Sequence, residues 1–229
     1  MLLRYLLHLS LWSYLAYATA SSKRGLIYIS DTDDVTEDVH YYTSSSSDLT
    51  WYYNYGASPS SDLENSTLQF VPMLWGADDG YDTFLSTIQN LIGNGTNITH
   101  VLGFNEPDGD RDTGGSSIDA DTAAEAWISQ IQPLRKQGVK LGLPAVTGSA
   151  SGLAWLKKFN ESCDGDCTAD FIPIHWYGNF EGLASYIGQI RAAYPNLTIW
   201  VTEFAYSSED LSTSQSFYNQ STQYFDRLE

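Results

Sequence analysis

The chain has 229 residues, 42% of them apolar, with seven Trp, sixteen Tyr and nine Phe, enough for one sizeable core in a single domain. Twenty-eight acidic against eleven basic residues leave a formal charge of −17. The few Lys and Arg are scattered without a basic patch, which argues against nucleic acid or an anionic membrane surface as partner. Many aromatics with little positive charge suit a neutral polymer such as a polysaccharide. Ring faces stack on sugars, and carboxylates and amides take the hydroxyls, although most of these aromatics are expected in the core.

Residues 1–20 read as a secretory signal: Arg4, a mostly apolar run over 5–17, then Ala18-Thr19-Ala20 before Ser21. The run is short for a membrane span, a retained N-terminal anchor being the rival reading. No later stretch could cross a bilayer. Secretion agrees with six Asn-x-Ser/Thr sequons, at Asn65, Asn94, Asn97, Asn160, Asn196 and Asn219. It also agrees with the two cysteines, Cys163 and Cys167, which in an oxidising compartment close a small disulfide loop. Two thiolates alone do not make a closed zinc site.

From there, short apolar runs recur about every thirty residues, at 25–29, 49–55, 68–75, 98–105, 139–146, 170–177 and 197–205. Helical spacing separates several of them. Over 81–92 it places Phe84, Leu85, Ile88, Leu91 and Ile92 on one face. Over 122–137 it places Ala123, Trp127, Ile131 and Leu134 together, stopped by Gly138 as a C-cap, and it recurs over 183–194. Strand and helix alternating at this period predict parallel βα units. Without a Gly-rich phosphate loop, a (β/α)8 TIM-barrel type α/β fold over 21–229 is the expected closure, apparently lacking its eighth βα unit. The first and seventh strands are then left without partners, and adding an eighth strand is expected to stabilise the barrel.

Two of these runs end on glutamates: Val101-Leu102-Gly103-Phe104-Asn105-Glu106-Pro107 and Ile199-Trp200-Val201-Thr202-Glu203-Phe204-Ala205. A carboxylate at a buried strand end is costly unless it has a partner or a task. Two on different strands of one barrel match the general acid and nucleophile of glycoside hydrolysis. Pro107 is expected to hold Glu106 extended, and the Asn105 amide to bind a sugar hydroxyl or orient the carboxylate. Separation sets the stereochemistry. About 5 Å lets Glu203 attack the anomeric carbon with retention, and roughly 6.5–9.5 Å leaves room for water and inversion. Glu106 must then hold a proton while Glu203 stays ionised.

Active sites of such barrels lie at the C-terminal strand ends. That adds Trp51 and Tyr53 on the second strand, Trp75 on the third, and His175, Trp176 and Tyr177 on the sixth as candidate substrate-binding residues. His175 could line the site, bond Glu203, or serve the barrel structurally. No second His at ligand spacing accompanies it, so no metal is expected. Two carboxylates and water require no cofactor. No Gly-x-Ser-x-Gly elbow is present, which leaves a serine hydrolase unsupported.

These motifs carry a resemblance. Leu49-Thr50-Trp51-Tyr52-Tyr53-Asn54-Tyr55-Gly56, Phe70-Val71-Pro72-Met73-Leu74-Trp75-Gly76, Gly103-Phe104-Asn105-Glu106-Pro107-Asp108, His175-Trp176-Tyr177-Gly178 and Thr202-Glu203-Phe204-Ala205 follow in the order seen in secreted endo-β-1,3-glucanases of glycoside hydrolase family 128, with the Asl1-like catalytic core. The resemblance implies a (β/α)8 fold, retention, Glu106 as acid/base and Glu203 as nucleophile. It also implies hydrolysis within β-1,3-glucan chains, with Trp75 stacking on a glucosyl unit. The chain is accordingly expected to be a secreted, glycosylated monomer acting on cell-wall glucan. A barrel glycosidase of other linkage preference, or a non-catalytic glucan-binding wall protein, is the alternative.

Overall fold

Each apolar run becomes a parallel strand in the computed structural model. It describes residues 23–30, 35–78, 80–207 and 210–228, and the expected signal over 1–20 lies outside them. The strands are β1 (Arg24–Ile27), β2 (Leu49–Tyr53), β3 (Gln69–Phe70), β4 (His100–Val101), β5 (Lys140–Leu141), β6 (Phe171–Tyr177) and β7 (Thr198–Ala205). They pair in parallel as β1-β2-β3, β4-β5 and β6-β7. Parallel bridges at Met73–Leu102, Asn105–Ala145 and Gly142–Phe171 join these pieces in chain order. The middle strands are shorter than the apolar runs because Pro72 and Pro144 have no N–H to give to a ladder. Pairing persists there through single bonds, such as Leu102 N to Pro72 O at 2.9 Å.

Between the strands lie α1 (Val35–Thr43), α2 (Phe84–Gly93), α3 (Ala120–Ala126), α4 (Ala150–Cys163), α5 (Phe180–Ala193) and α6 (Leu211–Phe225). The helix expected over 122–137 is not continuous. After α3 it widens to a π turn at Trp127–Ile131 and tightens to 3₁₀ at Gln132–Gln137. Pro133 cannot continue an α ladder, and the fully buried Trp127 and Ile131 stay inward through the change. Among the described residues, α3, α4, α5 and α6 begin on a side-chain cap, from Asp119, Ser149, Asn179 and Asp210. The expected disulfide is present: Cys163 and Cys167, with sulfurs 2.09 Å apart, close the end of α4. Among the described residues no helix is long and apolar enough to cross a membrane.

The core divides in two. A shell of Leu, Ile, Phe and Ala side chains fills the space between helices and strands. A smaller lumen cluster comprises Tyr53, Val71, Met73, Leu102 and Phe171, with Trp51, Tyr55, Trp75 and Trp200 against it. Successive strand residues face opposite sides, so Trp51 and Tyr53 enter the lumen while Tyr52 turns out onto Phe70, 5.2 Å away. The lumen is therefore filled in layers, as in barrels generally.

Among the described residues β1 and β7 are not paired with each other. Side chains tie this seam instead. Arg24, which also bridges Asp48 beside β2, reaches Asp226 at 2.8 Å, and Lys23 Nζ donates to Leu228 O at 2.9 Å. A cavity of about 990 Å³ opens along the seam, lined by Trp51, His100, Trp200, Asn196 and Phe225 among others.

Candidate active site

At the other end of the strands, a cleft of about 930 Å³ is lined by Tyr55, Trp75, Asn105, Glu106, Thr147, Trp176, Tyr177 and Glu203 among others. The seam cavity is slightly larger, but among the described residues no carboxylate lines it. The chemistry sits in the cleft.

Glu106 and Glu203 meet here across His175. One atom from each of the three side chains lies within 4.8 Å of the others. His175 is fully buried, its Nδ1 3.0 Å from Glu106 Oε1 and its Nε2 3.5 Å from Glu203 Oε1. The register pairs His175 with Glu203 directly, and a bulge between Ile174 and His175 turns both into the lumen. This mixed N/O set is also the group among the described residues whose composition suits a divalent cation. Its histidine nitrogens already face the two carboxylates.

Glu203 is held by phenols. Tyr55 donates to Oε1 and Tyr177 to Oε2, each at 2.7 Å. Burial, then the bond to Glu203, pushes both phenol pKa values above their ordinary range, so each keeps its proton to donate. Tyr53, one layer deeper, donates to Thr202 O at 3.2 Å.

The Glu106 backbone departs from expectation. It is not extended but left-handed, with φ of 40°, and Tyr55 shares that region at 59°. A non-glycine residue there is uncommon and is held by its surroundings. Glu106 N donates to Ala145 O at 2.7 Å, and Glu106 O accepts from Gly109 N at 2.9 Å, closing a tight turn. Proline disfavours the right-handed helical region for its predecessor, and these bonds select the left-handed one. Gly115 backs the turn so closely that a Cβ there would lie 2.5 Å from Gly109 C and 2.7 Å from Glu106 O.

The remaining candidates divide by depth. Asn105 reaches the cleft with Nδ2 bonded to Gly114 O at 3.1 Å and a buried Oδ1 that has no protein partner. Trp75 lines the cleft under the Arg111 guanidinium, 5.7 Å above its ring centroid. Tyr177 stands 62% exposed at the rim. Trp176 turns the other way, stacking on Tyr186 at 5.7 Å, with only part of its ring in the cleft wall. Trp51 does not reach the cleft. It packs on Trp200 at 4.9 Å and lines the seam cavity, because it sits four residues, about 13 Å of strand, below Tyr55.

Tyr55 ends the second-strand string 51–55 from which the sequence draws its candidates, and the parity of Trp51 and Tyr53 points to it, but the sequence does not single it out as the partner of Glu203. Sequence reasoning passed over two contacts between loops. Arg111 pairs with both oxygens of Asp78 across the loops after β4 and β3. Asp108 Oδ1 accepts from Thr147 N at 2.9 Å. No local spacing announces either contact.

A curated relative, alkali-sensitive linkage protein 1 of Schizosaccharomyces pombe, is 44% identical over 119 residues, 51% of this chain and 21% of that protein. The matched part thus spans about a fifth of that relative's length. Among solved structures, a subgroup III curdlan-specific exo-β-1,3-glucanase of glycoside hydrolase family 128 from Blastomyces gilchristii superposes with a TM-score of 0.76 and 27% identity, over 91% of this chain and 86% of that one. A subgroup IV endo-β-1,3-glucanase from Lentinula edodes gives 0.71 and 27%, over 91% and 80%. The glycosyl hydrolase catalytic core matches from residue 25 to 229, both glutamates included, and the chain belongs to that family.

Proposed function

We propose that the chain is a retaining endo-β-1,3-glucanase acting on cell-wall glucan, secreted, N-glycosylated and monomeric. The observation that carries this is the approach of Glu106 and Glu203 to within 4.8 Å, a spacing that suits direct attack rather than an interposed water. Glu203, oriented by Tyr55 and Tyr177, attacks the anomeric carbon. Glu106 gives its proton to the departing glycosidic oxygen, then takes one from the water that releases the sugar. Asn105 Oδ1 accepts a bond from a sugar hydroxyl, relieving its own buried, unpartnered state. Trp75 and Tyr177 both line the cleft and supply apolar faces for sugar rings.

The test is reducing-end release from linear β-1,3-glucan, beside β-1,4- and β-1,6-glucan and mannan, by the wild type, Glu106→Gln and Glu203→Gln. Expected are turnover on the β-1,3 polymer, loss in both variants, and first-formed product of β configuration. Hydrolysis unchanged in both variants would remove the pair from the chemistry. Saturable glucan binding by the wild type without any cleavage would make the chain a binding protein instead.

A further inference from the structure

The sequons are not spread evenly over this barrel. Asn65 lies in the segment entering β3, Asn94 and Asn97 in the segment between α2 and β4, and Asn196 between α5 and β7. All four are exposed. Segments that enter the strands gather at the end opposite the C-terminal strand ends, where Glu106 and Glu203 stand. Asn160 belongs to the same end: it sits near the close of α4, and its Nδ2 donates to the Tyr194 hydroxyl at 3.0 Å, two residues before Asn196. Asn219 is exposed midway along α6. None of the six lines the cleft.

The geometry points to an N-glycosylated pole: Asn65, Asn196 and one of Asn94 or Asn97 carry glycans on the end of the barrel opposite the cleft. This rests on the secreted reading above. The modification joins each asparagine Nδ2 to the anomeric carbon of an N-acetylglucosamine. The bond from that carbon to the diphosphate of a lipid-linked oligosaccharide donor breaks, and the amide gives up one proton. Only two residues separate Asn94 from Asn97, so a glycan on either occupies the space of the other. Asn196 lines the seam cavity, so its glycan stands over that opening. Bulky, strongly hydrated groups at this pole solubilise the protein and leave the catalytic end free to approach a polymer surface.

The experiment is to produce the full chain in a secreting yeast, release glycans with peptide:N-glycosidase in ¹⁸O-water, and map which asparagines become labelled aspartate. Label is expected at Asn65, at Asn196 and at one of Asn94 or Asn97. Affinity for a soluble β-1,3-gluco-oligosaccharide is expected to be the same before and after native deglycosylation. Secreted protein with these asparagines unlabelled would overturn the inference, and so would glycans that obstruct oligosaccharide binding. A chain retained inside the cell is tested again behind a host secretion signal. Label at the pole then supports the glycosylation pattern while rejecting native secretion, and no label rejects the pattern itself.

Discussion

Tyr55 and Tyr177, from the ends of β2 and β6, meet on one carboxylate, each donating to a different oxygen of Glu203 at 2.7 Å. A carboxylate so held cannot rotate, and both its oxygens are stabilised as anions. Removing either hydroxyl with Phe deletes one hydrogen bond to a charged group, worth about 1.5–3 kcal/mol, without changing ring volume. Tyr55→Phe and Tyr177→Phe are expected to lower kcat about ten- to one-hundred-fold with KM nearly unchanged. A rise in KM alone would mean that the phenols bind substrate rather than position Glu203.

His175 faces both glutamates. His175→Phe removes the ring nitrogens that face the half-buried Glu106 and the buried Glu203. The expected result is a fall in kcat of about a hundredfold, within the usual range for a proton-handling group. His175→Asn is expected to recover part of that rate, since its amide can donate to one carboxylate, and equal rates for the Phe and Asn variants would indicate a packing role alone.

Gly115 is required by proximity. Its missing side chain makes room for the Glu106–Gly109 turn, and a methyl there meets backbone rather than a flexible side chain. Gly115→Ala is expected to destabilise the protein by about 1–3 kcal/mol. It should also lower kcat, because Glu106 moves with its turn. Equal melting temperatures for Gly115→Ala and wild type would refute the close approach.

Arg111 lies over Trp75 and forks onto Asp78, fixing the indole as a cleft wall. Loss of an exposed cation–π contact corresponds to roughly two- to five-fold in binding. Arg111→Ala is expected to raise KM for long glucans by that factor with kcat retained. Arg111→Lys should not restore it, since an ammonium lacks the planar fork. The KM and kcat split on long and short glucans checks this.

His100 gives the fold a pH dependence. Burial beside Phe171 and Trp200 lowers its pKa below the ordinary 6.5, and the Asp170 charge only partly opposes this. The unfolded chain therefore binds a proton near pH 6.5 that the folded one still refuses. Stability is full above that pH, falls as the pH drops through it, and stops falling once the folded value is passed. Melting temperatures from pH 8 to 5 should show this slope, and His100→Gln should flatten it.

Much of the site was legible one residue at a time. A carboxylate ending a buried apolar run is anomalous in any sequence, and both anomalies, Glu106 and Glu203, arrive in the cleft. The regular spacing of apolar runs likewise anticipated seven parallel strands, and the Cys163–Cys167 loop its disulfide. The helix over 122–137 was overcalled because its apolar spacing survives into the π and 3₁₀ turns that Pro133 forces. Trp51 was placed too high because neighbouring aromatics on one strand look alike until their depth is known.

The sequence by itself determined the fold class and the two carboxylates, since periodicity and buried charge are local properties of the chain. Only the tertiary structure decided which groups attend them. Tyr55 lies 148 positions from Glu203, and His175 lies 69 from Glu106. Closing parallel strands around a lumen makes neighbours of residues that share a layer rather than a stretch of chain. The layer is fixed by register and pleat, which no single strand encodes alone.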